Sequence, residues 1–494
     1  MVIQRRRRCY TLLLALLITY SMPAILSADP TDIALAKAAQ LELDGQFLAA
    51  SNVLDGALAA TPDAQRKQVE FELDRLNRIC QDFSLSADDL FGALQQSVNG
   101  LTRDEFEQWV REGRFDSRVI DGRRWFMRAS VSNLYFRYPA LTPRRMDDSD
   151  RTNVVLVNRI LASCRAIKEA ALKEGSPYVL PKRFDMTMRV SANADVVPAG
   201  NVIRAWLPIP RNYPYQTNFE IISSSPALKE IAPGDSSIRS AYFEQAARAG
   251  QSTDFILHYR YTRYGVWFDI DPKRVTPFDG KDPEIAVFTR EAPHVVFTPE
   301  MRALSEKIGG GEKNPAVLAK KFYDWIGENT YYSYAIEYST IRNISDYCRS
   351  RGYGDCGQEA LFFMTLCRLN GIPARWQSGW HTFPGIMSIH DWTQIYLAPY
   401  GWVPVDPYMS VKAAHYSAAL TPAERQEVRD FYFGGLDWYR MAANDDHCQT
   451  LWPAKNTYRS DNVDFQRAEL ESGNQNIYFN RFSYSLDVKE LPAQ

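Results

Sequence analysis

Cys356 follows a Gly-Asp step and precedes a long apolar run in "RGYGDCGQEALFFMTLCRLNGIPAR", Arg351 to Arg375. The run has a helix's length and its stop signal, because Asn370-Gly371 suits the left-handed C-terminal conformation and Pro373 cannot continue a helix. Cys356 is therefore expected in the first turn. There, unpaired backbone N–H groups and the positive end of the helix dipole favour an anion and lower the thiol pKa. Gly354 and Gly357 leave room for a carbonyl to reach the sulfur. Cys367 lies ~16 Å along the same axis, has no exposed terminus near it, and reads as core.

Nucleophilic cysteine chemistry needs a base for the thiol proton and a third group to orient that base. Downstream, "SIHDWTQIYLA" alternates as a strand, Pro399 and Gly401 mark a turn, and "WVPVDPYM" returns as a second strand. His390 and Asp406 would sit on the two arms. The turn centres near 400 rather than the 398 that direct pairing needs, so a bulge or an offset register is expected. Among the other histidines, His381 in an aromatic loop is the best alternative base, while His258, His294, His415 and His447 fall in a structural strand or in linker and polar segments. No Cys-x-x-Cys or His-x-x-x-His spacing occurs, so neither a metal site nor a cofactor is expected.

Taken in order, "YGDCGQEALFFMTLCRLNGIPARWQSGWH" and "HDWTQIYLAPYGWVPVDP" resemble the core of the transglutaminase-like superfamily: G-D-C at a helix start, G-I-P-A-R, H-x-W on a strand, then G-W-x-x-x-D-P. The resemblance covers about residues 299 to 410. It implies a papain-related α+β core, in which a cysteine-bearing helix packs on an antiparallel sheet that carries the His and the Asp. It makes Cys356 the nucleophile, His390 the general base and acid, and Asp406 the orienting group. It also implies an oxyanion donor upstream, for which Tyr332 in "WIGENTYYSY" is the best match, with Tyr331 and Tyr334 as competitors. Asp355 and Asp391 depart from the small residues often found beside the reactive pair; they either tune charge or face solvent. "RWQSGWHTFPG" is expected either to line the cleft, giving Trp376, Trp380 and His381 together with Trp392 as substrate contacts, or to pack as a loop.

The elements that position these groups follow from periodicity. Residues 29–175 have helical spacing, and "IALAKAAQLELDGQFLAASNVLDGALAATP" resembles one tetratricopeptide-type hairpin with no second copy. Residues 176–271 change to β-branched and aromatic runs, "FDMTMRVSA", "NVIRAWLPIP", "NFEIISSS" and "DFILHYRYTRYGVWF", which predict an antiparallel sheet domain. Residues 272–440 hold the catalytic core, and 441–494 form a polar, strand-containing extension.

At 494 residues, with 45% hydrophobic and 23% charged, the chain has the composition of a multi-domain globular protein. Arg5 to Arg8, the apolar "TLLLALLITY" and "PAILSADP" have the pattern of an export signal, residues 1–28, cut after Ala28. This makes the protein periplasmic or secreted, with no stable membrane span after cleavage. Cleavage takes the formal charge from −2 to −6, since it removes four arginines and no acid; nothing suggests a nucleic-acid partner. If Cys356 is a free thiol, Cys80, Cys164, Cys348, Cys367 and Cys448 can form at most two disulfides, and Cys348 with Cys448 is one open pairing.

The chemistry expected is acyl transfer at an amide through a Cys356 thioester. The absence of a spaced-acid calcium loop favours water as acceptor, hence a peptidase or amidase, over a cross-linking protein-glutamine transamidase. The substrate would be a protein or peptide, a peptide or glycan of the cell envelope included. A scaffold that keeps the fold without catalysis is the rival class.

Overall fold

The computed structural model describes residues 29–147, 149–384 and 386–492. The stretch read as an export signal lies outside the described residues.

The chain opens with three helices, Pro30–Leu43, Phe47–Leu58 and Asp63–Asp82. Pro30 is pre-set for the first helical position, and the Asp29 carboxylate accepts the Thr31 N–H at 2.8 Å. The all-helical expectation for residues 29–175 misses a small antiparallel sheet in the order Phe83–Leu85, Arg123–Met127, Ser117–Ile120. Its hairpin turns at Asp121-Gly122, both with positive φ, the Asp-Gly signal of a two-residue turn. A 26-residue helix, Ser149–Glu174, then leads into the β region.

The four β-rich runs are strands. Tyr178–Ala192 and Thr253–Trp267 pair antiparallel along most of their length, with Met186, Met188 and Val190 buried at every second position. Gln216–Ser225 adds to the same sheet, while Val202–Pro208 pairs with Ser240–Ala246 in a second one. The last part of the chain returns to both: Phe482–Leu491 lies beside Tyr178–Ala192, and Glu469–Ser472 beside Val202–Pro208. On the way from the last strand of the cysteine-bearing unit to these two strands, residues 461–467 reach the cavity of Cys356.

That unit is a helix packed on a four-stranded antiparallel sheet. The helix is Cys356–Leu369, and residues 357 to 368 are all buried, so it runs through the core rather than along a surface. Gly371 takes φ 72° just past its end, as the stop signal implies. The sheet order is Gly401–Val405, Ile386–Leu397, Ala374–Phe383, Arg440–Asn444. The hairpin expected to need a bulge has none: Leu397 opposes Gly401 and Thr393 opposes Val405 in unbroken register. Asp406 is instead the residue after the strand, where its carboxylate caps the helix Pro407–His415. Its reach to His390 comes from this change of chain direction, not from strand pairing.

All six described cysteines are free thiols, so the pairing left open for Cys348 and Cys448 is not formed. Cys367 is fully buried. Among the described residues, no helix is long and apolar enough to cross a membrane.

Candidate active site

The start of the cysteine helix is built by Asp355. Its carboxylate accepts the Gln358 N–H at 3.1 Å and the Tyr338 hydroxyl at 2.6 Å, which fixes the turn that presents Cys356. Cys356 opens into a cavity of about 510 Å³. The side chains of His390, Asp391, Tyr332, Tyr334, Tyr338 and Tyr408 line the same space. Its far walls come from the helical N-terminal region, through Phe136, Leu156 and Ile160, and from residues 461–467 of the C-terminal segment.

His390 is buried on the middle strand and its Nε2 lies 2.8 Å from Asp406 Oδ2. A proton shared along that line stays on Nε2, leaving Nδ1 as the nitrogen able to accept one. The same Asp406 oxygen accepts Arg440 Nε at 3.0 Å and Nη2 at 2.9 Å. Burial alone would raise the Asp406 pKa, but His390 and Arg440 bring it below the usual carboxylate value. Arg440 also pairs with Asp437; burial would lift this carboxyl too, and Arg440 holds it at about 2. A carboxylate, an imidazole and a guanidinium thus form a buried hydrogen-bonded chain under the cavity.

At the sulfur itself the charges run the other way. Asp391 Oδ2 lies 3.4 Å from Cys356 Sγ, and the Asp391 main-chain N–H also hydrogen-bonds the sulfur. Burial above all pushes the thiol well above its ordinary value, and Asp391 and Asp355 add to this when they are ionised. The lowering expected from the helix start is outweighed because the site is buried and two carboxyls crowd the terminus, one of them occupying a helix N–H as its cap. Asp391 is buried, 4% exposed, whereas Asp355 is half-buried and held by Tyr338 against the helix start.

Gly357 is required by this geometry. A Cβ there would lie 2.1 Å from Tyr338 Oη, 2.7 Å from Asp391 Oδ2 and 2.9 Å from the Trp376 ring.

Of the three tyrosines considered as oxyanion donors, Tyr332 and Tyr334 line the cavity, whereas Tyr331 packs on the His415 ring at 4.4 Å. Tyr332 is held by the rings of Phe136 at 4.9 Å and Tyr408 at 5.3 Å. Burial, then the nearby Cys356, keep its phenol protonated. His381 also lines the cavity, 5.7 Å from the His390 ring. It has no carboxylate partner on Nε2, and burial, then Arg440, drive it to the neutral form. The expectation for the tryptophans is corrected: Trp376, Trp380 and Trp392 are buried and none lines the cavity. Trp376 packs under the helix start and beside His447, Trp380 meets Tyr484, and Trp392 donates to Gln377 at 2.7 Å. Their strands are covered on both faces, so a ring on either face is core.

Sequence reading passed over Arg440, Asp464 and Gln466. Gln466 Nε2 donates to the His390 carbonyl at 2.9 Å and to Asp391 Oδ1 at 2.7 Å. Asp464 accepts from Ser378, the residue opposite Asp391. For Arg440 a signal existed, an arginine inside the apolar strand run "WYRMAA", which demands a buried counter-charge. For the other two, in a polar segment without periodicity, there was none.

No curated protein matches the chain. Among solved structures, a candidate cysteine protease from Cytophaga hutchinsonii is similar at 14% identity and a TM-score of 0.41, covering 64% of this chain and 93% of that one. The periplasmic domain of TgpA from Pseudomonas aeruginosa is similar at 16% identity and a TM-score of 0.27, covering 47% and 91%. Residues 302–407 match the model of the Transglutaminase-like superfamily. Residues 302–407, which carry Cys356, His390 and Asp406, are therefore a transglutaminase-like domain.

Proposed function

We propose that the protein is an exported cysteine enzyme that transfers the acyl group of an amide or peptide bond to water through a thioester on Cys356. The observation that carries this reading is the shared cavity: the sulfur and the His390 ring line one space, and the ring is oriented from behind by Asp406 at 2.8 Å.

In this reading His390 Nδ1 takes the thiol proton as the sulfur attacks the carbonyl carbon, and the imidazolium is stabilised by Asp406. The carbonyl oxygen becomes an oxyanion beside the Cys356 main-chain N–H, which has no helical partner at that position, and the Tyr332 hydroxyl. Each such donor is typically worth about 3 kcal/mol to the transition state. The C–N bond then breaks, with the proton passing from His390 to the departing amine. Water, deprotonated by the same His390, attacks the thioester, releases the acid and returns the proton to the sulfur. Because the thiol is held protonated at rest, proton transfer to His390 accompanies attack instead of preceding it. The apolar far wall, Phe136, Leu156 and Ile160, suits an uncharged acyl side chain of a protein or peptide substrate.

The test is a peptide library incubated with wild type and Cys356→Ala, with and without a primary amine, and weighed by mass spectrometry. Hydrolysed peptides that vanish in the variant support the reading. Amine adducts in place of hydrolysis would make the enzyme a transamidase. Hydrolysis that persists in Cys356→Ala would remove the cysteine from the chemistry.

A further inference from the structure

The transglutaminase-like motif accounts for three side chains, yet a fourth touches the reacting atom. Asp391 is buried, and its two oxygens have different partners. Oδ1 accepts the Gln466 amide at 2.7 Å, and Oδ2 faces Cys356 Sγ at 3.4 Å. An amide N–H marks the oxygen it binds as an acceptor. That leaves Oδ2, which faces the sulfur, as the oxygen to carry a proton, with the Asp464 carboxyl hydrogen-bonded to the same group as its competitor.

The surroundings favour that proton. From the start of the cysteine helix come Cys356 and Asp355, and Tyr338 approaches from the turn 338–340. From the C-terminal segment comes Asp464, with Asp461 behind it. His390, the neighbour on the same strand, is committed to Asp406. The arginines of the C-terminal segment serve other acids first: Arg467 holds Glu337 at 3.1 Å and 3.3 Å and Asp461 at 3.5 Å, and Arg459 holds Glu469 at 3.4 Å and the Asp464 carbonyl. Burial, then Asp464 and Asp355, push Asp391 well up, and Asp464 itself is lifted to about 7. Three carboxyls crowded at the edge of one cavity do not all ionise.

The geometry points to Asp391 as a neutral carboxylic acid whose Oδ2–H hydrogen-bonds the Cys356 sulfur, an extra donor held in place by Gln466. This rests on the acyl-transfer reading above and deepens it. The proton stays on Oδ2 throughout. Its work is to stabilise negative charge on sulfur while His390 carries the thiol proton, and again when the thioester is expelled as thiolate. Asp391 is then a catalytic residue and Gln466 a positioning residue. Gln466 lies 59 residues past the end of the matched motif, so the C-terminal segment completes the reactive centre.

The test uses infrared difference spectroscopy on the full chain at neutral pH, which needs no substrate. The wild type is expected to show a carboxylic-acid C=O band that is lost in Asp391→Asn and that disappears as pH is raised. The band should shift in Cys356→Ala, which removes the sulfur acceptor, and stay put in Cys367→Ser. Iodoacetamide supplies a second readout: at pH 7 the Cys356 alkylation rates of wild type and Asp391→Asn should agree within about threefold, and diverge only at the higher pH where the acid band of the wild type disappears. No acid band at pH 7, a band indifferent to Cys356→Ala, or a tenfold faster alkylation of Asp391→Asn at pH 7 would overturn the proposal by showing a carboxylate at that position. Loss of peptide turnover in Cys356→Ala speaks to the reaction instead, so the two can fail separately.

Discussion

Replacing Arg440 by methionine should make the protein lose stability in a way that grows with pH. Arg440 is fully buried and serves two buried carboxylates, Asp406 through Nε and Nη2 and Asp437 through Nη1. Both carboxyls have folded pKa values below their ordinary ones, Asp437 at about 2 against 3.8. A depressed carboxyl contributes stability above its unfolded pKa and loses it as pH falls through the folded one. For Asp437 that gap corresponds to about 2 kcal/mol, present at neutral pH and lost below about pH 4. Methionine keeps the apolar stem and deletes the cation. Burial then prevails at both acids, their folded pKa values rise, and the sign of the contribution reverses, so stability is lost as pH rises above about 4. Removing one partner of a buried ion pair costs about 3–5 kcal/mol, and here two carboxylates are stranded. Urea unfolding followed by tryptophan fluorescence at pH 5 and pH 8 measures this. The expected loss lies in that range at pH 8 and is smaller at pH 5, and Asp437→Asn in the Arg440→Met background should recover part of it. A loss that is the same at both pH values, or below about 1 kcal/mol at pH 8, refutes the reasoning.

Two further outcomes follow from buried groups near Cys356. Glu359 is fully buried with neither carboxylate oxygen bonded, and burial, then Asp355 and Asp406, push it well above 4.5. A raised acid loses stability as pH climbs past its unfolded value, so the advantage of Glu359→Gln over wild type should grow as pH rises above about 4.5; a difference independent of pH contradicts this. Gly357→Ala puts a methyl group 2.1 Å from Tyr338 Oη, and should lower the melting temperature by several degrees, with partial recovery in the double variant carrying Tyr338→Phe. Full stability of Gly357→Ala would show that the helix start is not packed as described.

What the sequence discloses and what it hides divide along physical lines. The cysteine helix is legible because its apolar run and its Asn-Gly-x-Pro stop are local signals. The strands are legible through alternation, and the spacing of His390 and Asp406 through the turn between them. Even so, strand register does not place Asp406: a Pro immediately after an Asp is also a helix start, and capping, not a bulge, carries the carboxylate to His390. The aromatic cleft was misjudged because rings at alternate strand positions look alike whether a strand is covered on one face or two. The thiol's environment was misjudged because a helix-start argument considers one element, while the pKa depends on everything packed against it. Asp391 was visible but not placeable, and Gln466 and Asp464 arrive by a long return of the chain that leaves no periodic trace.

The central claim is that Cys356, and no other group, receives the acyl moiety. Mixing the full chain with p-nitrophenyl acetate, quenching in acid and mapping the adduct by peptide mass tests it directly. The account predicts an acetyl thioester on Cys356 that forms in wild type and Cys367→Ser, is absent in Cys356→Ala, and accumulates more slowly in His390→Ala. Acetylation that spares Cys356, or that proceeds unchanged without it, contradicts the account.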